Sequence, residues 1–559
     1  MALSTAITKA GNGPDAWSVL SAVLACALLM PIFAIAWIAV FPSENIWPHL
    51  AENALPTYLS NTLILMAITG LGSAMIGTGA AWLVTMTEFP GRRWLEWALL
   101  APLAIPAYIG AYALVDLLEY AGPVQTAMRS VFGWTSSRDY WFPEIRSIGG
   151  AGFVLTLALY PYVYLLARAA FHEQSVCALE VGRALGCGPW GVFRRVGLPL
   201  ARPAVVAGTA IVCMETMADF GAVDYFAVQT LTRGIFSIWL DMHNAGGAAQ
   251  IALVMLACVM ALLFVERLAR RGKRFHHMSR RYRPIRREPT SGLRGALIFT
   301  LCALPVALGF ALPTVVVGWH AFDHLAQWSD ARFWSALANT TMLAGSAAAL
   351  ACLIGVVMVY GARGARSSVP RWLAQTTALG YAAPGAVIAV GVLVPLAALD
   401  HWMADSVEAL TGIDIGLVLT GSAAAIVFAY LVRFAVIAHG AIDGALGRIT
   451  PSMELAARTL GAGRRSVLHR IHVPMIRGSV LTAALLIFVD GVKELPATLI
   501  LRPFNFETLA TTVYNAASLE QLDEAGPAAL VIVVVGLLPV AILARTMARA
   551  RPGDDVDIT

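Results

Sequence analysis

The sequence contains little charge for its length. Asp, Glu, Lys and Arg make up only 13% of the 559 residues, whereas 58% are hydrophobic, and the mean hydropathy is +0.71. A soluble protein of this size needs a much larger share of polar side chains on its surface. The composition therefore excludes a soluble globular protein and predicts an integral membrane protein.

Cysteine is scarce and shows no metal-binding spacing. The seven cysteines are odd in number, and no two of them form a CxxC pair. Most fall in apolar segments, where a cysteine acts as a small packing residue. We therefore predict neither a disulfide framework nor a zinc site. The cysteines are Cys26, Cys177, Cys187, Cys213, Cys258, Cys302 and Cys352.

Lysine is rarer still, and this bears on nucleotide binding. A P-loop requires Gly-Lys followed by Ser or Thr, because that lysine contacts the β- and γ-phosphates of the nucleotide. The three lysines, Lys9, Lys273 and Lys493, all lie outside such a sequence. HExxH and GxSxG motifs are also absent from the sequence. We therefore predict no enzyme activity and no cofactor bound by this chain.

The abundant apolar residues fall in blocks of about 20 or more, the length at which an α-helix crosses ~30 Å of hydrocarbon. No run of alternating ten-residue segments suggests a membrane β-barrel. We predict an all-α integral membrane protein with about twelve spanning helices. The predicted spans are 18–41, 59–86, 95–118, 148–171, 201–222, 245–266, 295–319, 337–360, 372–398, 415–439, 476–498 and 526–546.

Basic residues indicate the orientation. With the N-terminus inside and twelve crossings, most Lys and Arg fall on the cytoplasmic side, which is the usual bias. Both termini are then cytoplasmic, in a bacterial inner membrane. Residues 267–294 are strongly basic and, taken alone, would suggest nucleic-acid binding. Because they join two spans, we interpret them as a cytoplasmic linker against anionic lipid headgroups and predict no nucleic-acid partner.

The two halves on either side of this linker are similar in sequence. Landmarks recur in one order with a nearly constant spacing, which chance rarely produces. We predict a first repeat at 1–266 and a second at 295–559, each with six spans and crossing in the same direction, as parallel repeats do. The matching landmarks are Asn61-Thr62 with Asn339-Thr340, Arg93-Trp94-Leu95 with Arg371-Trp372-Leu373, Pro106 with Pro384, and Gly186, Gly188 and Pro199 with Gly461, Gly463 and Pro474.

Each repeat carries one polar segment between its fourth and fifth spans. We call residues 178–203 the first loop and residues 453–478 the second loop. Each has the pattern of an amphipathic helix, a glycine break, a short helix and a proline at the next span. Gly186 and Gly461 suit the left-handed end of a helix, and Pro199 and Pro474 suit a first helical turn. The alternative is that each loop contains only an ordinary amphipathic surface helix with no binding role.

Both loops resemble the EAA motif of permeases from binding-protein-dependent ABC importers. Glu454-Leu455-Ala456-Ala457 is close to that motif, whereas Glu180-Val181-Gly182 is more degenerate, and Glu180 aligns with Leu455. In that family the loop sits in a cleft of the ATP-hydrolysing subunit. The resemblance implies a separate pair of ATPase subunits, a homodimer that binds ATP with magnesium. The implied contact residues are Glu180, Gly186, Pro199, Glu454, Ala457, Gly461 and Pro474.

Acidic residues recur inside the fifth and eleventh predicted spans. At the repeat spacing, Glu215 pairs with Asp490 and Asp219 with Glu494. Residues four apart share one face of a helix, and carboxylates within a bilayer usually face a cavity or a partner. Two interpretations stay open: a ring of carboxylates along the pathway, or interhelix bridges in which Lys493 neutralises an acid. Gly221 and Pro496 are predicted to end or kink these helices.

The strings METMADFGAV and KELPATLILRPF resemble the ferric-iron branch of this family, in which both permease domains are fused. The resemblance implies that the solute is Fe³⁺ delivered by a periplasmic binding protein. Hard cations favour carboxylate and phenolate oxygens. Tyr160, Tyr162 and Tyr164 are compatible with this chemistry, although packing is the plainer explanation of their presence. The thiamine and phosphonate branches remain alternatives.

A transporter of another class is the rival hypothesis. Ion-coupled secondary transporters also contain repeats and intramembrane acids. Such a protein would work without an ATPase and would have no use for two EAA-like loops.

Overall fold

The computed structural model describes residues 16–172, 174, 176–270, 287–365, 367–447 and 449–548, and these are mostly helical. The α-helices of the first half are α1 (Ala16–Val40), α2 (Trp47–His49), α3 (Leu55–Met86), α4 (Arg92–Ala98), α5 (Ala107–Leu118), α6 (Pro123–Phe132), α7 (Ile148–His172), α8 (Val176–Ala184), α9 (Pro189–Val192), α10 (Leu198–Ala218), α11 (Gly221–Tyr225), α12 (Leu231–Phe236) and α13 (Ala245–Arg270).

The second half continues in the same manner. Its α-helices are α14 (Gly292–Val306), α15 (Leu312–Asp323), α16 (Ala331–Gly364), α17 (Val369–Thr376), α18 (Ala378–Ala382), α19 (Gly385–Thr411), α20 (Ala423–Gly447), α21 (Pro451–Thr459), α22 (Arg464–Val467), α23 (Val473–Lys493), α24 (Pro496–Leu501), α25 (Leu509–Ser518) and α26 (Leu522–Ala548).

Shorter elements complete the described chain. Two-residue strands β1 (Thr87–Glu88) and β2 (Glu288–Pro289) pair in parallel. The 3₁₀ segments are Ala101–Ala104 and Leu325–Ser329, and the π-helical turns are Leu50–Ala54, Phe193–Gly197, Ser237–Asp241, Ala307–Ala311 and Leu468–His472.

The helices account for the predicted spans, with two differences. Eleven described helices are long and apolar enough to cross a membrane, and a bent pair makes a possible twelfth. The prediction of an all-α membrane protein with about twelve spans is confirmed. The predicted span 95–118, however, is not continuous, because Arg92–Ala104 and Ala107–Phe132 meet at 94°. Pro106 stands at this bend, where it lacks the backbone N–H that would continue the helix. The predicted span 372–398 is also wrong, because α18 ends at Ala382 and the spanning helix is Gly385–Thr411.

The order of elements repeats across the two halves. Helices α7, α8, α9 and α10 have counterparts α20, α21, α22 and α23, whose first residues follow at one constant offset. The π-helical turns Phe193–Gly197 and Leu468–His472 share that offset. Even a rare backbone feature therefore recurs, as two copies of one structural unit would require.

The Asn-Thr landmark has the same structural role in both halves. The asparagine amide donates to a backbone carbonyl 168 residues later, and the threonine hydroxyl accepts from a backbone N–H 169 residues later. These bonds fasten the segment after α11 or α24 to the start of α3 or α16. The donor-to-acceptor distances are 3.0 Å for Asn61–Gln229, 3.0 Å for Leu231–Thr62, 2.9 Å for Asn339–Glu507 and 2.8 Å for Leu509–Thr340.

The compact units do not follow the halves of the sequence. One unit comprises Met1–Ala34, Met342–Ala383 and Gly391–Gly491, and the other comprises Ile35–Thr341, Pro384–Val390 and Val492–Thr559. Within the first unit, α1 of the first half packs on α16 of the second half. Within the other, α14 of the second half packs on helices of the first. The repeat boundaries stay a prediction, and residues 271–286 of the basic linker lie outside the described chain.

Candidate coupling loops and pathway residues

The first loop contains the glycine-ended helix that its sequence predicts. Helix α8 ends at Ala184, and Gly186 follows with a left-handed φ of +80°. The Gly186 N–H donates to Arg183 O at 2.9 Å, and the Cys187 N–H donates to Gly182 O at 3.1 Å. This pair of bonds is a Schellman motif, which satisfies the last carbonyls of a helix. The loop thus turns sharply between α8 and α9.

The second loop repeats this turn bond for bond. Gly461 has a φ of +83°. Its N–H donates to Arg458 O at 3.0 Å, and the Ala462 N–H donates to Ala457 O at 3.0 Å. Ala457 therefore supplies a carbonyl to the turn in addition to its place in the EAA-like sequence. The predicted left-handed helix end is confirmed in both loops.

The prolines lie where the pattern places them. Pro199 and Pro474 are each the second residue of their helix, α10 and α23, and each follows a π-helical turn. A proline lacks the N–H that a first helical turn leaves unbonded in any case. The prediction of proline in a first turn is confirmed.

The inner side of the first loop is anchored in the helix core. Leu179 is only 3% exposed and belongs to the buried cluster that contains Phe171 and Val192. The Trp82 ring lies 5.2 Å from Phe171 and 5.1 Å from Phe193, measured between centroids. Apolar burial of this kind fixes the loop to the bundle.

The outer side of each loop presents a leucine that sequence reasoning missed. Leu185 is 79% exposed and Leu460 is 88% exposed, and each immediately precedes the left-handed glycine. Glu180 is exposed, whereas Glu454 is half-buried and pairs with Arg458. The two leucines occupy equivalent positions, and that recurrence was the available signal. Exposed leucines beside a stiff turn suit insertion into a partner.

A close contact at the end of the first loop gives a test of its packing. A Cβ on Gly197 would lie 2.3 Å from the Trp82 ring. We expect Gly197→Ala to destabilise the protein by about 1–3 kcal/mol through overpacking, measured as a lower thermal midpoint in detergent. Gly188→Ala is the control, since its Cβ would meet nothing within 4 Å. Failure of Trp82→Leu to rescue Gly197→Ala would contradict this explanation.

The second acid of each pair lies just past the end of the helix that holds the first. Helix α10 ends at Ala218, and Asp219 has extended backbone angles. Helix α23 likewise ends at Lys493, before Glu494. Glu215 and Asp490 remain within their helices, and both are half-buried. The predicted breaks near Gly221 and Pro496 are present, and the Asp219 N–H still donates to Glu215 O at 2.9 Å, so these two acids remain one helical turn apart as predicted.

Beyond each break, the second acid caps a short helix. Asp219 Oδ1 accepts from the N–H groups of Ala222 at 2.9 Å and Val223 at 3.2 Å. Glu494 Oε1 accepts from the Ala497 N–H at 3.2 Å. A carboxylate at a helix start satisfies otherwise unbonded donors. These contacts support the bracing interpretation for both residues, and a pathway role stays a prediction.

Lys493 also makes a bracing contact. Its Nζ donates to Leu103 O at 2.9 Å, at the 3₁₀ segment of the bent span. A cation near the end of a helical segment satisfies carbonyls that lack a helical partner. Lys493 therefore ties the end of α23 to the segment before Pro106.

Tyr160 and Tyr164 of α7 are packing residues, whereas Tyr162 is half-buried. Tyr160 and Tyr164 are fully buried, and the Tyr164 hydroxyl donates to Glu96 O at 2.8 Å. A different tyrosine was missed: Tyr514 donates to Asp224 Oδ2 at 2.8 Å, and Arg233 Nε pairs with Asp224 Oδ1 at 2.9 Å. No sequence signal joins Tyr514 to Asp224, which lie 290 residues apart.

The described side chains offer no preformed metal centre. Among them, no group of three His, Cys, Asp or Glu lies close enough to hold a metal ion. Cys26, Cys187, Cys213, Cys258, Cys302 and Cys352 are free thiols. The side chain of Cys177 lies outside the described part.

Comparison with known proteins connects this architecture to a family. Residues 73–274 match the family described as binding-protein-dependent transport system inner membrane component. An Fe(3+)-transport system permease protein of Haemophilus influenzae is 26% identical over 503 residues, covering 89% of this chain and 90% of that protein. A ferric transport system permease protein of Actinobacillus pleuropneumoniae is 23% identical, covering 85% of this chain and 68% of that protein.

A shorter relative matches only part of the chain. The molybdenum transport system permease protein of Escherichia coli is 28% identical over 219 residues, covering 37% of this chain and 91% of that protein. The family match spans the whole first loop together with Glu215 and Asp219. Over residues 73–274 the chain is thus similar to the inner membrane components of binding-protein-dependent transport systems, and its apolar helices are those of a multi-pass membrane protein.

Proposed function

We propose that this chain is the fused, two-domain permease of an ATP-driven importer that moves Fe³⁺ from a periplasmic binding protein into the cytoplasm. The observation that carries the proposal is similarity to ferric permeases over nearly the whole chain. The ferric relative of Haemophilus covers 89% of the chain, whereas the molybdenum relative covers 37%. The similarity to ferric permeases thus extends over both halves of the chain.

ATP hydrolysis belongs to a separate partner in this proposal. Each loop offers a rigid turn with an exposed leucine, Leu185 or Leu460, at its tip. Because the turns have the same bonds, two copies of one ATPase could receive them in equivalent clefts, which favours a homodimer. ATP and magnesium would bind to that partner. Closure of the ATPase pair would then shift the permease between two conformations.

The orientation of the chain in the membrane follows from assigning the two loops to the ATPase. The two loops face the cytoplasm, where the ATPase is, and both termini lie on that side. The basic linker at 267–294 rests against anionic lipid headgroups. The binding protein docks on the opposite face and releases ferric ion into the passage.

Reconstitution tests the proposal. Proteoliposomes that hold the permease and its ATPase, supplied with iron-loaded binding protein, should accumulate radiolabelled ferric ion only with ATP and magnesium. Liposomes without the ATPase, given a proton or sodium gradient, are the control for a secondary transporter. Gradient-driven uptake without the ATPase would overturn the proposal. Transport of thiamine, phosphonate or molybdate in place of iron would overturn its substrate.

A further inference from the structure

Four charged side chains form a connected group beneath the first loop, and Arg287 joins it as a fifth, with Nε 3.9 Å from Glu88 Oε2. Arg92 Nε lies 3.0 Å from Glu88 Oε2, and Arg92 Nη1 lies 3.1 Å from Glu96 Oε2. Arg168 of α7 pairs with the other oxygen of Glu96. Arg92 and Arg168 are only 5% and 6% exposed. We call Arg92, Glu96 and Arg168 the buried ion chain, since the Glu88 side chain at its outer end is 48% exposed.

The buried ion chain locks the last turn of α7 to α4. Arg168 stands four residues before His172, where α7 ends and the chain enters α8. One turn earlier on the same face, Tyr164 donates to the backbone of Glu96 at 2.8 Å. Beyond Arg168, Phe171 shares a core with Leu179 of the loop. Side chains of α7 therefore connect the ion chain directly to the first loop.

The second repeat lacks this group. Helices α7 and α20 begin at equivalent residues, and the position of Arg168 is occupied by Asp443. Asp443 pairs with Arg363 at 2.9 Å, with side chains that are 56% and 42% exposed. The positions of Arg92 and Glu96 are occupied by Pro370 and Ala374. Exposed ion pairs contribute little to rigidity, because solvent competes for both partners.

Buried ion pairs of this kind fix the relative positions of the helices that carry them more than they raise the free energy of unfolding. Burying charges is costly, and apolar replacement of a whole buried ion pair is often tolerated. Removing one member is damaging, because it leaves a charge without its partner in a low-dielectric site. The arrangement beneath the first loop thus defines one conformation of α7 relative to α4.

We infer that Glu96 and Arg168 are positioning residues that hold the first loop rigidly to the bundle, so that the two loops transmit ATPase movement unequally. The first loop is held rigidly on α7. The second loop is bonded to α16 through His472 and Tyr360, but on α20 it has, among the described side chains, only an exposed ion pair and moves there with more freedom. This inference rests on the proposed function, because it assigns unequal shares to loops that bind the ATPase.

The test compares Arg168→Met with its counterpart Asp443→Asn. In the reconstituted transporter, with iron-loaded binding protein, the measured quantity is ATP hydrolysed per ferric ion accumulated. We expect this ratio to rise about tenfold in Arg168→Met and less than about twofold in Asp443→Asn. The double variant Glu96→Met with Arg168→Met, in which Arg92 keeps Glu88 as its partner, guards against simple misfolding and should also raise the ratio.

Hydrogen exchange supplies a second readout that needs no transport. Amides of 176–184 should exchange more slowly than those of 451–459 in the wild type and lose that protection in Arg168→Met. Equal exchange in the two loops, or equal ratios for Arg168→Met and Asp443→Asn, would overturn the inference. A wild-type transporter that shows no ATP-dependent uptake would instead count against the proposed function, and the exchange result would still stand.

Discussion

Simultaneous replacement of Gly186 and Gly461 by valine should uncouple ATP hydrolysis from uptake. Both glycines have left-handed backbones, with φ of +80° and +83°, where a side chain costs about 1–2 kcal/mol per residue and more if it is β-branched. A Cβ on either glycine would meet no atom within 4 Å, so the strain comes from the backbone alone. We expect ferric uptake to fall more than tenfold while hydrolysis continues, measured in parallel on proteoliposomes.

Neighbouring glycines provide the matched control. Gly188 and Gly463 lie in the same turns, and the space around their Cα atoms is equally open. Neither has a positive φ. Gly188→Val with Gly463→Val should therefore retain most of the uptake. Full uptake in the Gly186 and Gly461 double variant, with the protein folded, would remove the coupling role from these turns.

The second large effect is expected from neutralising acids near the two helix breaks. Glu215→Gln with Glu494→Gln should lower the rate of ferric uptake roughly tenfold, because it removes two negative charges from the predicted cation pathway. Glutamine keeps an oxygen that can accept the Ala497 N–H, so the cap on α24 should persist. The measurement is initial uptake against the concentration of loaded binding protein, with the amount of assembled complex determined in parallel.

Substitutions of the helix-capping acids distinguish a role in the cation pathway from a purely structural role. Asp219→Asn retains an acceptor for Ala222 and Val223, whereas Asp219→Ala removes it and should cost about 1 kcal/mol of stability. If Asp219→Asn and the double glutamine variant both transport normally while Asp219→Ala assembles poorly, the acids serve only as helix caps. A loss of uptake in the acceptor-retaining variants would support an attractive passage for cations.

Local sequence chemistry predicted the parts of this fold that depend on few neighbours. The length of the apolar runs indicated most of the spans, and glycine at 186 and 461 indicated two helix ends. Both signals depend only on residues that are neighbours in the sequence. The break after Ala218 was placed too late, since Asp219 leaves the helix to cap α11 and nothing before it forces that choice.

Contacts between segments far apart in the sequence could not be predicted from local sequence chemistry. The bond from Tyr514 to Asp224 and the ion pair of Glu96 with Arg168 depend on which helices become neighbours. Periodicity indicates that a face is buried without naming its partner. The repeat did help, because a residue that recurs at an equivalent position, such as Leu185 and Leu460, marks a shared role even when its contacts are unknown.

The packing of α1 explains why one continuous gene product is an advantage. Ser18 and Ser21 donate to Gly361 O and Met358 O, each at 3.2 Å, and a Cβ on Gly361 would lie 2.3 Å from Trp17 O. An N-terminal fragment made alone would expose this serine-bearing side of α1 to lipid, and α16 would lose its cover. Because α1 and α16 belong to one chain, each is present at a high effective concentration near the other during membrane insertion. Their association therefore does not depend on an encounter between separate chains in the bilayer.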